Sequence, residues 1–464
     1  MILLKLLNAF LSFVSIAVCT SICAHGQELA PPIKMVIYPA AEPRPALKHR
    51  LLPTYLDRAP GNAAVYLGKV NVETGNLLNS EVIEKYYRWE RMPISELLAE
   101  QIEMPSTVID FLDQAACADV CDWQLPIRQG NSYEILLPEV QQQRAFARIN
   151  AVRIRQHIAR REFDEALHAL QTGFANARNV AAGQTIVNGL VACSISLNHV
   201  TPQVIEFVQQ SGAPNLYWAL TALPTPLIDF RDAIDVESRA FEFGFPELRD
   251  LANAKRTEEE WRDLLHRLAT KILSMLADPG QDIRPAVEAL DGACRERFMA
   301  AKQAMIERGM PADKVAGMNV YQVALLDLTQ SHREFMDQAA KYRTLPFSQA
   351  QAGMDAAIEK SEMNAELLPP FRQQGLRAIR TTRTLEARIE RQITCLRLVE
   401  ALRMHAAGSG RLPATLDDVK IVPIPNDPVT GQPFSYRLEN EKAIISGPPL
   451  PNTPSFWEIT LSRP

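Results

Sequence analysis

Apolar residues recur at three- and four-residue spacing through most of the chain between residues 62 and 407, the period of helices that bury one face. Short helices are predicted over NAAVYLGKVNVE, SEVIEKYYRWE, PISELLAEQI and PSTVIDFLDQAACA, with Ser80, Ser95 and Ser106 placed as N-caps. The clearest periodicity runs from Glu139 to about Gln210, where FARINAVRIRQHIA and FDEALHALQTGFANA predict two antiparallel helices. TEEEWRDLLHRLATKILSMLAD predicts a further helix, capped by Thr257, with Glu258, Glu259 and Glu260 at its positive end. Two more periodic stretches follow, closing at Gly309 and just before Pro346. From Gln373 to about Ala407, Leu376, Ile379, Leu385, Ile389, Ile393, Leu396, Val399 and Leu402 form one stripe. Arg377, Arg380, Arg383, Arg388 and Arg391 line its other faces, interrupted by Glu386, Glu390 and Glu400, which predicts a solvated face.

The helical period stops in four places. Residues 27–60 are punctuated by proline and weakly periodic, and are expected to lie as an extended segment outside any core. CDWQLPIRQGNSYEILLP holds the Gly130-Asn131 turn signal and predicts a small hairpin or ordered loop. Tyr217 and Trp218 fall in a short apolar stretch ended by Pro224 and Pro226, a packed elbow. After GSGRLP, the alternating stretches FSYRLE and KAIIS are joined by Asn440-Glu441, a hairpin signal, and Asp427 in NDPVTG is placed to set a turn by accepting backbone hydrogen bonds. The expected fold class is mainly α, an irregular helical-hairpin array or bundle with a small C-terminal β-hairpin. The expected divisions are 1–26, a signal peptide; 27–60, the proline-rich segment; 61–410, the helical body; and 411–464, the C-terminal loop and hairpin.

Three resemblances add to this reading. Phe163, Ala166, Leu170 and Gly173 fall where the second helix of a tetratricopeptide unit places an aromatic, a small, a large and a small residue. The likeness covers about one repeat, His157 and Ile154 depart from the pattern, and no second copy follows at a fixed period, so a generic helix hairpin accounts for the same residues. Leu412, Pro413, Leu416, Asp427, Pro428, Gly431, Pro433, Phe434 and Tyr436 resemble the C-terminal region of type II secretion pseudopilins. The helix before them is arginine-rich rather than apolar, so assembly into a pilus does not follow. APNLYWALTALP together with the LPATLDDV and NDPVTGQPFSY segments resembles a family of uncharacterised secreted helical proteins of environmental bacteria, a likeness that brings no known activity.

The N-terminus changes the picture further. Lys5, the apolar run Leu6 to Val18 and Ala24-His25-Gly26 have the order of a secretory signal, and the run is shorter than the ~20 residues that span a bilayer. The chain is expected to be exported, periplasmic or extracellular, without a membrane span once the signal is cleaved; an uncleaved anchor is the other outcome. At 47% hydrophobic and 22% charged, the 464 residues have ordinary globular composition. A net charge of −5 gives no electrostatic footprint for nucleic acid. Of the seven cysteines, Cys117, Cys121, Cys193, Cys294 and Cys395 lie beyond the signal, an odd and scattered set. Cys117 and Cys121 are read either as a local disulfide or as two buried thiols on one helical face.

The search for chemistry is short. None of the eight histidines falls in HExxH or another compact ligand spacing, and GxSxG, GxxxxGK and GxGxxG are absent from the sequence. The sequence therefore assigns no catalytic, cofactor-binding or metal residue, expects no cofactor, and leaves open whether the chain is an enzyme. The leading expectation is a non-enzymatic protein that binds a partner, such as an envelope protein, or supports an envelope assembly. One alternative is a periplasmic hydrolase assembled from distant residues, for which His332, Glu334 and the cluster Asp229, Asp232, Asp235 and Glu237 are the weak candidates. The other is an adapter to secretion-system components through the C-terminal hairpin.

Overall fold

The computed structural model describes residues 30–75, 80–127, 135, 137–277, 280–362 and 369–462. The signal segment, the Gly130-Asn131 turn and the Ser80 side chain lie outside the described residues. The fold is mainly α with a small C-terminal sheet, and the chain divides into two compact units. The first takes residues 1–125, 136–233 and 382–464, and the second takes 126–135 and 234–381, so the helical stretch 61–410 is shared between them. Among the described residues no helix is long and apolar enough to cross a membrane.

In the first unit, β2 (Ala59–Asn62) runs directly into α1 (Ala63–Thr74) and pairs in parallel with β3 (Ala118–Val120). Asn62 caps α1 by accepting from the Ala64 amide. There follow α2 (Ser80–Arg91), the single turn α3 (Ile94–Leu97) and α4 (Ser106–Ala116). Pro93 and Pro105 occupy the N-cap positions of α3 and α4, so Ser95 and Ser106 sit inside the first turns rather than capping them. The predicted antiparallel pair is α5 (Pro138–Ala159) and α6 (Phe163–Ala181). Gly173 lets the π-helical turn Ser196–Val200 approach: a Cβ there would lie 3.0 Å from Val200 and 3.2 Å from Asn150. That turn joins α7 (Ile186–Ile195) to α8 (Thr201–Val208), and α9 (Tyr217–Thr221) forms the elbow, with Tyr217 and Trp218 packed edge to face.

The C-terminal hairpin forms as expected: β4 (Ser435–Glu439) and β5 (Lys442–Ser446) pair antiparallel across Asn440 and Glu441, both at positive φ. Beyond it, β6 (Phe456–Leu461) pairs with β5 and, in parallel, with β1 (Ile33–Ile37), giving the sheet order β1-β6-β5-β4. Met35 and Ile37 of β1 and Leu51 are buried, so the proline-rich segment does contribute to a core, contrary to the sequence expectation. Its prolines bracket a strand rather than replacing one, since the six residues between Pro32 and Pro39 leave room for the five of β1. Asp427 sets its turn as expected, accepting from the Val429 amide through its side chain and from the Gly431 amide through its carbonyl.

The helix α17 (Pro369–Ser409) corrects the sequence reading of its arginines. Arg380 is exposed and Arg388 half-buried, but Arg383 and Arg391 are buried, and the Arg377 side chain lies outside the described residues. Arg383 pairs with Glu386 at 2.9 Å, and Arg391 pairs with Asp427 while donating to the Pro448 carbonyl at 2.7 Å. Arg403 and Glu400, both fully buried, pair at 2.9 Å; Arg403 also donates to the Tyr38 and Ala213 carbonyls. A guanidinium in the interior is tolerated when its donors are taken up, and for Arg391 and Arg403 loop carbonyls and carboxylates do so.

The second unit is helical. It contains most of α10 (Arg231–Gly244), then α11 (Glu258–Leu276), α12 (Arg284–Glu288), α13 (Leu290–Glu307), α14 (Ala312–Ala316), α15 (Val320–Ala340), α16 (Phe347–Glu362) and the start of α17. Thr257 caps α11 in a reciprocal box with Glu260, as the sequence predicts. Trp261, Leu264, Leu265, Leu268 and Ile272 on α11 meet Tyr321 and Leu325 of α15 in one apolar core.

Candidate functional site

A groove of about 430 Å³ opens in the first unit between α2, the loop 98–105 and α5. The spacing that made α2 amphipathic places Val82, Tyr86 and Trp89 along one face of it, and Ala145 and Ile149, one turn apart, supply the α5 wall. Met104 and Pro105 close the end where the chain enters α4. Tyr86 and Trp89 pack edge to face at 5.2 Å, and the Trp89 indole nitrogen donates to Glu100 at 3.0 Å, which fixes the ring. Lys85 from α2 and Gln101 and Glu103 from the loop stand at the rim.

The α2 wall is held from behind by buried charge. Arg155 donates to the carbonyls of Trp89 and Met92, each at 2.6 Å, and pairs with Glu206 at 2.6 Å. Glu90 accepts from Arg148 at 2.8 Å and meets His199 Nδ1 at 2.6 Å; the π-helical turn carries that histidine inward. Burial pushes the Glu90 carboxyl up, but the bonds and charges of His199 and Arg148 outweigh it and hold the group below its ordinary range. Gln156 ties the loop wall by donating to the Ile102 carbonyl at 3.2 Å. The walls of the groove are thus tied to α5, α8 and the π-helical turn by side-chain hydrogen bonds.

A second polar centre lies on α4. Asp113 receives both guanidinium nitrogens of Arg153, at 2.8 and 3.0 Å, the Thr172 hydroxyl at 2.5 Å, and faces His168 Nε2 at 3.4 Å. Desolvation raises its pKa, yet the bonds from His168 and Arg153 hold it at about 2. The His168 ring is correspondingly shifted upward, first by its bond to Asp113. A carboxylate this heavily occupied serves as an ion-pair anchor between α4, α5 and α6 rather than as a base.

The hydrolase candidates do not form a comparable centre. Asp229 accepts four bonds from the Arg231 side chain and amide, just ahead of α10, and Asp235 pairs with Arg239 one turn on. Asp232 is exposed; Glu237 is half-buried, its carboxyl pushed up to about 7 by desolvation. His332 is buried in α15, and Glu334 pairs with Arg308 at 2.8 Å. Asp229 and Asp232 belong to the first unit; Asp235, Glu237, His332 and Glu334 belong to the second. Among the described residues no group of three or more His, Cys, Asp and Glu side chains is placed to hold a metal ion.

The five described cysteines are free thiols. Cys117 follows the end of α4 and Cys121 lies beyond β3, both half-buried, so they are neither a disulfide nor a pair on one helical face. Cys121 meets the Asn179 carbonyl at 3.1 Å, and burial drives its pKa to about 12, which makes it a packing residue rather than a nucleophile.

Sequence reasoning missed the groove. The apolar residues of α2 and α5 were legible as helix faces, and Tyr86, Trp89 and Ile149 are buried in one core, but nothing in their spacing shows that they also border a groove. The one signal was the density of aromatic side chains in SEVIEKYYRWE, more than a short surface helix needs. No family model, curated protein or solved structure matches this chain.

Proposed function

We propose that the protein is an exported, non-enzymatic binding protein whose groove between α2 and α5 receives an apolar group of its partner. The observation that carries this reading is the groove itself: about 430 Å³, within the ~300–1,000 Å³ of small-ligand sites, walled by Tyr86, Trp89, Met104 and Ile149. Its hydrogen-bonded backing supports the same reading, because a site whose walls are already tied binds without first ordering them. The hydrolase alternative has less support, since Asp229, Asp235 and Glu334 are already committed to arginines. Export is supported by the order of Lys5, the apolar run and Ala24-His25-Gly26.

The test uses mature protein recovered from the producing cell's envelope or medium, whose mass should lack the first 26 residues. It is titrated with the uncharged dye N-phenyl-1-naphthylamine. Saturable enhancement of dye fluorescence is expected, and Ala145→Trp, which fills the groove, should weaken dye binding at least tenfold while leaving the thermal melt in place. Equal dye binding by the native and Ala145→Trp proteins would sink the proposal.

A further inference from the structure

Two charges stand at the rim of the groove on different walls: Lys85 on α2 and Glu103 on the loop that leads into α4. Both side chains are exposed, and neither is engaged in an ion pair or hydrogen bond among the described residues. The charges that back the groove are, by contrast, committed to one another. Arg88 is taken by Glu100, Glu90 by Arg148 and His199, and Arg155 by Glu206. Lys85 and Glu103 are the two charged side chains among the residues that line the groove, and a cation and an anion on separate walls define the charge pattern of the occupant.

Resting on the reading of the groove as a binding site, we infer that its ligand is a short apolar peptide with free termini. Its carboxylate meets Lys85, its ammonium meets Glu103, and its side chains lie against Tyr86, Trp89 and Ile149. A carboxylate amphiphile such as a fatty acid would satisfy Lys85 but set its own charge in the field of Glu103. A cationic amphiphile has the converse problem. A neutral apolar molecule would use neither charge. Only a dipolar ligand with an apolar body matches floor and rim together, and Gln101 beside Glu103 adds an amide that can serve a peptide backbone group.

The experiment is calorimetric titration of the full mature chain with Leu-Leu-Leu, its N-acetyl form, its C-terminal amide, and dodecanoate. Free tri-leucine is expected to bind most tightly, with each blocked form weaker by about three- to tenfold, the range of one exposed to partly desolvated charge pair. Lys85→Met should abolish the penalty for amidation while keeping that for acetylation, and Glu103→Gln should do the reverse. Either substitution lies at an exposed rim position, so folding is not at issue. Equal binding of free and blocked peptides, or tighter binding of dodecanoate dependent on Lys85 alone, overturns the inference. If N-phenyl-1-naphthylamine still enters the groove in that case, the binding reading stands and only the peptide is wrong; if the dye fails as well, both fall.

Discussion

Glu390 lies one turn from Glu386 on α17, and burial, reinforced by the Glu386 charge and only partly opposed by Arg383, pushes its carboxyl from 4.5 up to about 7. The folded chain therefore holds a proton there that the unfolded chain releases near 4.5. The group is neutral to stability below that pH, and stability is lost as pH rises from about 4.5 through 7. Glu390→Gln should accordingly stabilise the protein at pH 8 by on the order of 2 kcal/mol, discounted for partial burial, and leave stability at pH 4 nearly unchanged. Urea denaturation of both proteins at the two pH values checks this, and an equal offset at both would count against it. The same helix shows where residue-level reading stops. Arg391 and Arg403 are spelled as surface residues, and the carboxylate and carbonyls brought from Asp427, Pro448, Tyr38 and Ala213 make them interior ones. Those partners lie between 36 and 365 residues away, beyond any local pattern. Gly447 is part of this arrangement, since a Cβ there would overlap the Arg391 guanidinium and the Asp427 carboxylate.

Elements were legible wherever their signal was local. Thr257 with Glu260 gave a capping box, and Asn440-Glu441 gave a two-residue turn with both residues in the left-handed region, at φ 49° and 64°. Glycine adopts that region without strain, so Glu441→Gly should raise stability by about 0.5 kcal/mol in thermal denaturation, and a loss would argue that the Glu441 side chain is needed. Ser95 and Ser106 misled because serine just before an apolar run reads as a cap, whereas each helix begins directly after its proline, at Ile94 and at Ser106 itself. The groove belongs to this scale too. Two of its walls, α2 and the loop 98–105, are neighbours in sequence, but the α5 wall lies about 40 residues further on, and the sequence shows the apolar strips without showing that they meet.

For the whole chain, the feature least visible in the sequence is the parallel pairing of β1 with β6, in which Ile33 stands opposite Trp457. Neither strand has a local turn to announce its partner, and parallel neighbours require a long crossover. Ile459, fully buried on β6, takes its place between β1 and β5. Ile459→Asp should destabilise the first unit by more than about 3 kcal/mol, because it leaves an uncompensated charge in the sheet interior. Protease protection of residues 30–62 and 435–462, followed by mass spectrometry, reads this out; retained protection of both segments would contradict the pairing.

That pairing also sets a timetable. The first unit is assembled from three separate stretches of chain, and its sheet closes only when β6 meets β1. Translation delivers β1 long before β6, so the nascent polypeptide cannot complete this unit until β6 has emerged to meet it.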